Sequence, residues 1–149
     1  MASTGRGVCF VELGPRVADL VETLRAEFPF AAIAARPAQA LRRLAAAARA
    51  AAEARPWSPD LPVDIQGTAF QWRVWRALTR IPRGETRSYS DVAREIGSPS
   101  SVRAVARACA TNPLSLLVPC HRVVGVKGDL RGYRWGVEAK RKILDRERS

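Results

Sequence analysis

The chain has 149 residues, 47% of them hydrophobic and 26% charged, which permits a packed core and argues against wholesale disorder. Its formal charge is +11. Residues 67–149 carry 17 basic and 7 acidic side chains, whereas residues 1–66 carry 8 and 7. This asymmetry favours a polyanionic partner such as nucleic acid, although a basic protein without a specific partner would share it.

The three cysteines, Cys9, Cys109 and Cys120, lack the even number and regular spacing of a disulfide framework. A single histidine and the absence of a Cys-x-x-Cys pair argue against a structural zinc site. No apolar run is long enough to span a bilayer, and the N-terminus lacks the order of a signal peptide. We therefore expect a cytoplasmic protein with reduced thiols, no metal and no membrane contact.

Hydrophobic spacing and turn residues predict the elements of the first half. In chain order these are a strand over Val8–Leu13, a helix over Arg16–Phe28, an alanine-rich helix over Ala38–Ala54, and a proline-rich linker over Arg55–Gly67 with a short strand at Val63-Asp64-Ile65. The boundary near Gly67 makes residues 1–66 an N-terminal subdomain.

The second half opens with a helix that Thr68 caps and that continues to Leu78. Two short helices follow, Ser90–Ile96, started by its capping serine, and Ser100–Ala110. A helix, a glycine turn and a second helix are the outline of a helix-turn-helix. Arginines among small residues on the second helix suit a DNA groove, although alanine-rich helices also simply pack tightly.

An apolar run, Leu114–Val118, leads to Pro119-Cys120, and a strand over Val123–Val126 and a helix over Val137–Arg146 are predicted after it. The predicted fold class is an α/β (α+β) N-terminal remnant, residues 1–66, plus a mostly α, winged helix-turn-helix-like domain, residues 67–149.

Cys120 stands beside the only histidine, in Pro119-Cys120-His121-Arg122. A thiol attacks only as its thiolate, so it needs a base or a positive field, which these neighbours could supply. On spacing alone, a lone cysteine beside a lone histidine is more often structural than catalytic. In a regular strand the two side chains would point to opposite faces, so joint action requires a turn after Pro119.

The longer string Leu117-Val118-Pro119-Cys120-His121-Arg122-Val123-Val124 closely resembles the active-site motif of the O6-alkylguanine-DNA alkyltransferases, also called methylated-DNA–protein-cysteine methyltransferases. The resemblance runs from about Gly67 to Glu147 and is greatest to the C-terminal domain of the Ada and Ogt members. Its other matching segments are Gly84-Glu85-Thr86, Ser88-Tyr89, Arg103-Ala104-Val105, Asn112-Pro113 and Gly132-Tyr133-Arg134-Trp135-Gly136.

The resemblance implies that Cys120 accepts the alkyl group and that His121, oriented by Glu147, takes the thiol proton through a bound water. It implies that Asn112 braces the active-site strand and the thiol, and that Tyr89 protonates the departing guanine. The implied DNA-contacting residues are Arg103, which would enter the base stack as a finger, with Ser88, Ala104 and Arg107. Those implied to line the guanine pocket are Val123, Tyr133 and Arg134.

The implied activity is that of a suicidal methylated-DNA–[protein]-cysteine S-methyltransferase. It moves an alkyl group from O6-alkylguanine, and from O4-alkylthymine, in double-stranded DNA to its own cysteine. The target atom lies inside the duplex, so the base must be extruded. The thioether product is not reversed by water or thiols, so each molecule, expected to be a monomer, reacts once and needs no cofactor.

The segment before Arg16 is shorter than the N-terminal subdomain of most members, so we expect a truncated chain or a piece of a larger regulator. The zinc ligands of some relatives and the metal-binding domain of Ada are not in this sequence. Three alternatives remain: a lesion-binding relative without transfer, which typically has tryptophan in place of Cys120; a plain helix-turn-helix protein; and a cysteine hydrolase.

Overall fold

The computed structural model describes residues 1–12, 14, 16–34, 42, 45–46, 62–130 and 132–149. The helix predicted over Ala38–Ala54 lies almost wholly outside these residues, as do residues 55–61 of the predicted linker. In chain order the elements are β1 (Ala2–Ser3), β2 (Val8–Phe10), α1 (Val17–Glu27), α2 (Ala69–Leu78), β3 (Arg87–Ser88), α3 (Tyr89–Glu95), α4 (Val102–Ala110), a 3-10 turn (Cys120–Arg122), β4 (Val123–Val124) and α5 (Val137–Arg148).

The N-terminal segment is a small antiparallel hairpin that is hydrogen-bonded to the second half of the chain. β2 starts at Val8, where the strand over Val8–Leu13 was predicted, and ends earlier, at Phe10. Its antiparallel partner β1 was not predicted, because a two-residue strand has no detectable pattern of its own. Val8 also forms an isolated β-bridge to Val63. Of the short strand predicted at Val63-Asp64-Ile65, only this one bridged residue is observed. The amide of Val11 donates to the Pro113 carbonyl (2.8 Å), and a bridge joins Val11 to Leu114.

Helix α2 confirms the predicted helix and its cap. The Thr68 hydroxyl accepts from the Gln71 amide while the Gln71 side chain accepts from the Thr68 amide, a reciprocal capping box. The buried face of α2 includes Trp75, whose indole N–H donates to the Ala108 carbonyl (2.9 Å). This bond ties the first helix of the second half to the last turn of α4.

Helices α3 and α4 pack against one another as the predicted helix-turn-helix pair, joined through Gly97 at a φ of +69°. The predicted start of α3 at Ser90 was wrong: the helix begins at Tyr89, and Ser88 is its cap through a reciprocal box with Asp91. Two serines two residues apart both suit a cap, and only Ser88 has an acidic residue three positions later. The second helix begins at Val102, two residues after its predicted start.

The segment after α4 breaks the strand alternation at the cysteine. Cys120, His121 and Arg122 form one 3-10 turn and all three are buried. β4 follows at once and pairs in parallel with β3, with Ser88 opposite Val124. Helix α5 packs on the 3-10 turn, and it extends two residues beyond the predicted end at Arg146.

One hydrophobic core joins the hairpin to the helical part, and Val8, Leu78, Leu114 and Val123 within it are all fully buried. The architecture is therefore mixed α/β with a mainly helical C-terminal part, which confirms the predicted fold class. Among the described residues, no helix has both the length and the apolar character needed to cross a membrane.

Candidate active site

Cys120 lies at the start of the 3-10 turn with only 3% of its surface exposed. The Asn112 side chain holds it there: its Nδ2 is 3.3 Å from the thiol Sγ and donates to the Val118 carbonyl at 2.8 Å. The Asn112 Oδ1 accepts from the Leu114 amide (2.9 Å). The fully buried amide therefore connects the end of α4 to the backbone on both sides of the apolar run and to the thiol itself.

Burial raises the pKa of the Cys120 thiol, because a thiolate loses its hydration there. The Asn112 hydrogen bond, the Lys140 charge and backbone amides of the turn lower this pKa, and they offset the effect of burial only in part. The resting group is therefore the neutral thiol, which needs a base before it can attack.

His121 and Glu147 form a buried pair that can supply that base. His121 Nε2 is 2.9 Å from Glu147 Oε1, and both side chains are less than 5% exposed. Burial raises the pKa of Glu147, but hydrogen bonds from His121 and Arg122 more than compensate and lower it to about 2. Burial lowers the pKa of His121 despite the opposing effect of Glu147, so the imidazole is neutral near pH 7.

These charge states assign the imidazole tautomer. An ionised carboxylate can only accept, so the neutral imidazole carries its proton on Nε2 and donates it to Glu147. The Nδ1 atom of His121 is then a bare lone pair. It is buried and has no hydrogen-bond partner among the described residues. Such an atom can accept one proton and pass the resulting charge to Glu147.

Arg122 anchors the carboxylate that orients the histidine. Its Nε and Nη2 reach the two Glu147 oxygens at 3.0 and 2.8 Å, and its Nη1 donates to the Ile81 carbonyl (2.6 Å). A bidentate arginine fixes the plane of a carboxylate as well as its charge. The sequence suggested Arg122 only as a source of positive field, and its place in the motif was the signal for this closer role.

Lys140 is a site residue that sequence reasoning missed. Its side chain is fully buried, its Nζ donates to the Val123 carbonyl at 2.5 Å, and it lies 6.0 and 5.9 Å from the ring centres of Tyr89 and Tyr133. The available signal was helical spacing: the buried residues of α5 are Lys140, Leu144 and Glu147, four and three positions apart. The many other basic residues of this helix concealed it.

Both tyrosines remain protonated at neutral pH. Burial raises the pKa of Tyr89 to about 12, and it raises the pKa of Tyr133 further above its ordinary value. Cys109 and Cys9 are both buried, and burial raises the pKa of each thiol. Cys120 is the thiol of the three that has an adjacent base.

The residues predicted to contact DNA are placed in two different settings. The residues of α4 proposed to touch DNA, Arg103, Ala104 and Arg107, are all exposed on the surface opposite the buried Val105 and Ala108. Ser88 is partly buried and is occupied as the cap of α3.

The residues predicted to line the guanine pocket lie in two different places. The Val123 carbonyl accepts from Lys140, and Tyr133 packs against the core around Cys120. Arg134, in contrast, is directed to the N-terminal part: its Nη2 is 3.3 Å from Glu27 Oε2, and its guanidinium lies 5.8 Å from the Phe10 ring centre.

Comparison with known proteins gives consistent matches. Residues 69–149 match a family model described as "6-O-methylguanine DNA methyltransferase, DNA binding domain". The chain is 47% identical over 148 residues to the bifunctional transcriptional activator/DNA repair enzyme Ada of Escherichia coli, covering 99% of this chain and 41% of that protein. It is 40% identical to the inducible methylated-DNA–protein-cysteine methyltransferase of Bacillus subtilis, covering 99% of this chain and 83% of that protein.

Among solved structures, the Mycobacterium tuberculosis OGT in complex with DNA superposes with a TM-score of 0.62 at 44% identity, covering 73% of this chain and 65% of that one. With respect to the Ada protein of Escherichia coli, the chain spans less than half of that protein's length.

Proposed function

Because this chain belongs to the 6-O-methylguanine DNA methyltransferase family, we propose that it repairs DNA by moving the alkyl group of O6-alkylguanine irreversibly to Cys120. The observation that carries this proposal is the buried thiol next in the chain to a neutral histidine. Its Nδ1 has no hydrogen-bond partner among the described residues, and its Nε2 donates to an ionised carboxylate. The proposed activity is that of a methylated-DNA–[protein]-cysteine S-methyltransferase that reacts once.

The reaction balances with the residues at this site. His121 takes the Cys120 thiol proton at Nδ1, through a water as the resemblance implies, and the imidazolium is stabilised by Glu147. The sulfur then forms a bond to the alkyl carbon as the bond from that carbon to guanine O6 breaks. Tyr89, protonated because its pKa is about 12, gives a proton to guanine, which leaves as a neutral base. The His121 proton restores Tyr89 through solvent.

Asn112 and Arg122 are proposed to support this step without exchanging protons. Asn112 keeps the sulfur and the apolar run in one fixed arrangement. Arg122 keeps Glu147 ionised and correctly oriented. No cofactor enters the scheme, because the protein itself is the acceptor and the thioether is its end state.

The substrate is proposed to be double-stranded DNA with the damaged base turned out of the helix. The exposed face of α4 would lie against the duplex, with Arg103 entering the gap in the base stack and Ala104, Arg107 and Ser88 contacting the backbone. Val123, Tyr133 and Arg134 are proposed to line the guanine pocket. O4-alkylthymine is a further proposed substrate, and a protein with these substrates works at the nucleoid.

We further propose that residues 1–66 and 67–149 act as an N-terminal subdomain and an alkyltransferase domain. The family match begins at residue 69, close to this boundary. The helix-turn-helix, the cysteine, the histidine and the glutamate all lie after it.

The test is a mass measurement on the intact protein and on its tryptic peptides after incubation with a duplex that contains one O6-methylguanine. We expect one added methyl group, on the peptide that contains Cys120, saturating at one equivalent and absent in Cys120→Ser. Binding of the duplex without any added mass would favour the lesion-binding alternative. Repeated turnover, or a methyl group on another residue, would sink the proposal.

A further inference from the structure

The loop over residues 132–136 carries Tyr133 toward the thiol and is weakly held by its own backbone. Its terminal glycines have positive φ, +57° at Gly132 and +87° at Gly136, and a side chain on either would meet only open space. Within the described residues, the backbone hydrogen bond inside the loop is the one from the Gly136 amide to the Tyr133 carbonyl (3.0 Å). Glycines with free space around them allow alternative backbone conformations, so side-chain contacts must set the loop's position.

Those side-chain contacts lead to the N-terminal segment. The Trp135 indole N–H donates to Glu12 Oε1 at 3.2 Å. The Arg134 guanidinium lies 4.0 Å from the same oxygen and 3.3 Å from Glu27 Oε2. Glu12 directly follows the Val11 residue that is hydrogen-bonded to Pro113, so the carboxylate is mounted on backbone that the core already holds.

The environment of the Glu12 carboxylate does not contribute to the stability of the fold. Its side chain is only 9% exposed. Its Oε2 atom is buried and lacks a hydrogen-bond partner among the described residues. Leaving a carboxylate oxygen buried and unpaired costs free energy, so an apolar residue here would be at least as stable. The hydrogen bond from Trp135 and the longer ion pair with Arg134 are what the carboxylate provides and an apolar residue cannot, and both partners belong to the loop.

Trp135 connects Glu12 to the thiol pocket. Its ring meets the Tyr133 ring edge-on, with centres 5.0 Å apart. Tyr133 in turn lies beside Lys140, whose Nζ is 5.9 Å from its ring centre, and it packs against the core cluster that contains Cys120. A displacement of Trp135 would therefore move Tyr133, a wall of the pocket in which guanine is proposed to react.

We propose that Glu12 is a positioning residue for the substrate pocket, which holds loop 132–136 and Tyr133 in place by accepting the hydrogen bond of Trp135. The inference rests on the proposed alkyl transfer and adds to it a role for the N-terminal segment. Because Tyr133 is proposed to line the guanine pocket rather than to contact the duplex, Glu12 should affect the reaction of a free base as much as that of DNA.

The single-turnover chemistry provides a clean test. The number of alkyl groups bound at saturation counts the active molecules, so rate constants can be expressed per active molecule and are independent of any loss of folded protein. Rates are measured with O6-methylguanine duplex and with free O6-benzylguanine, for the full chain. We expect Glu12→Leu to slow both reactions about tenfold, since small misplacements of reacting groups have effects of this size.

Two further variants separate positioning from stability. Glu12→Gln keeps an oxygen acceptor for Trp135 and should remain within about threefold of the wild-type rate, because only the charge is lost. Trp135→Phe removes the donor, and the double variant Glu12→Leu/Trp135→Phe should be no slower than the slower single variant. The matched control is Asp64→Asn, which disrupts the Thr4–Asp64–Arg6 contacts of the same N-terminal region without touching the loop.

The outcomes separate the two proposals. If the wild-type protein takes up no methyl group, the proposed function itself fails. If the wild type reacts and Glu12→Leu reacts at the same rate per active molecule, the positioning role is overturned even where the melting temperature falls. Equal slowing by Glu12→Gln and Glu12→Leu, or additive losses in the double variant, would also overturn it.

Discussion

At the scale of single residues, the site depends on two buried charges, Arg122 and Glu147, and on the neutral imidazole of His121 that donates to Glu147. Glu147 is ionised because Arg122 and His121 donate to it, and His121 is neutral because it is buried. The ionised state of Glu147 depends on these two donors, since a buried carboxylate without partners would take up a proton. The result is an imidazole that has a vacant acceptor atom and an adjacent negative charge at neutral pH.

The pH dependence of transfer should follow His121. The reaction requires its neutral form, and burial holds its pKa below the ordinary 6.5. The rate constant should therefore be level from about pH 8 down to about pH 6.5 and decline only below that, as the imidazole gains a proton. Single-turnover rates per active molecule across this range measure it.

In the Glu147→Gln variant, the rate constant in the pH-independent range should fall on the order of a hundredfold, because the imidazolium loses its counter-ion. Glu147 raises the pKa of His121, so its removal should also move the acid decline to lower pH. Glu138→Gln, an exposed change on the same helix, is the control and should leave both features unchanged. A decline that moves to higher pH would contradict this account.

At the scale of elements, the helix-turn-helix and the 3-10 turn present two different surfaces. The outer face of α4 carries exposed arginines, whereas the buried face of the same helix packs through Val105, Ala108 and Cys109. Asn112, two residues after α4 ends, contacts the thiol directly. One short helix therefore connects the surface proposed to meet DNA with the reacting sulfur.

This arrangement predicts that Arg103→Ala slows the repair of duplex DNA by roughly tenfold or more, because the extruded base loses the side chain that replaces it in the stack. The reaction with free O6-benzylguanine should change little, since no base has to leave a helix. Rates with both substrates, measured against Arg141→Ala as an exposed control on α5, give the comparison. Equal losses with both substrates would refute the finger role.

At the scale of the whole molecule, the N-terminal hairpin and the helical part share one core. Val8 and Val11 pack in the same cluster as Trp75 and Leu114, and backbone bonds join Val11 to Pro113 and Ser115. A boundary near Gly67 in the chain is thus not a boundary in the packing. The two parts should unfold together, as small units with one core do.

Val8→Ala tests this, since Val8 is fully buried in that core. We expect the free energy of unfolding in urea to fall by about 2 kcal/mol, from lost contacts and the cavity left behind. Three of the four tryptophans lie in residues 67–149, so their fluorescence reports the helical part. Their transition should shift together with the far-UV circular dichroism signal, whereas the exposed Val17→Ala should shift neither. Separate transitions would show that the two parts fold independently.

The sequence alone determined those features that depend on local patterns. Apolar spacing and caps located α1, α2 and the helix-turn-helix pair, because a helix buries one stripe and begins at a residue that satisfies its free amides. A contiguous motif around Cys120 indicated the family and the chemistry, because a motif is read directly along the chain. These signals require no knowledge of which distant segments meet.

Only the tertiary structure decided the features that join residues far apart in the chain. The β1 strand, the bridge from Val11 to Leu114 and the bond from Glu12 to Trp135 have no local pattern. In the sequence Lys140 is one of many basic residues, and only the packing of α5 shows that it is buried. The resemblance implied that Glu147 orients His121, but only the folded structure shows that Arg122 also donates to it and helps to keep it ionised.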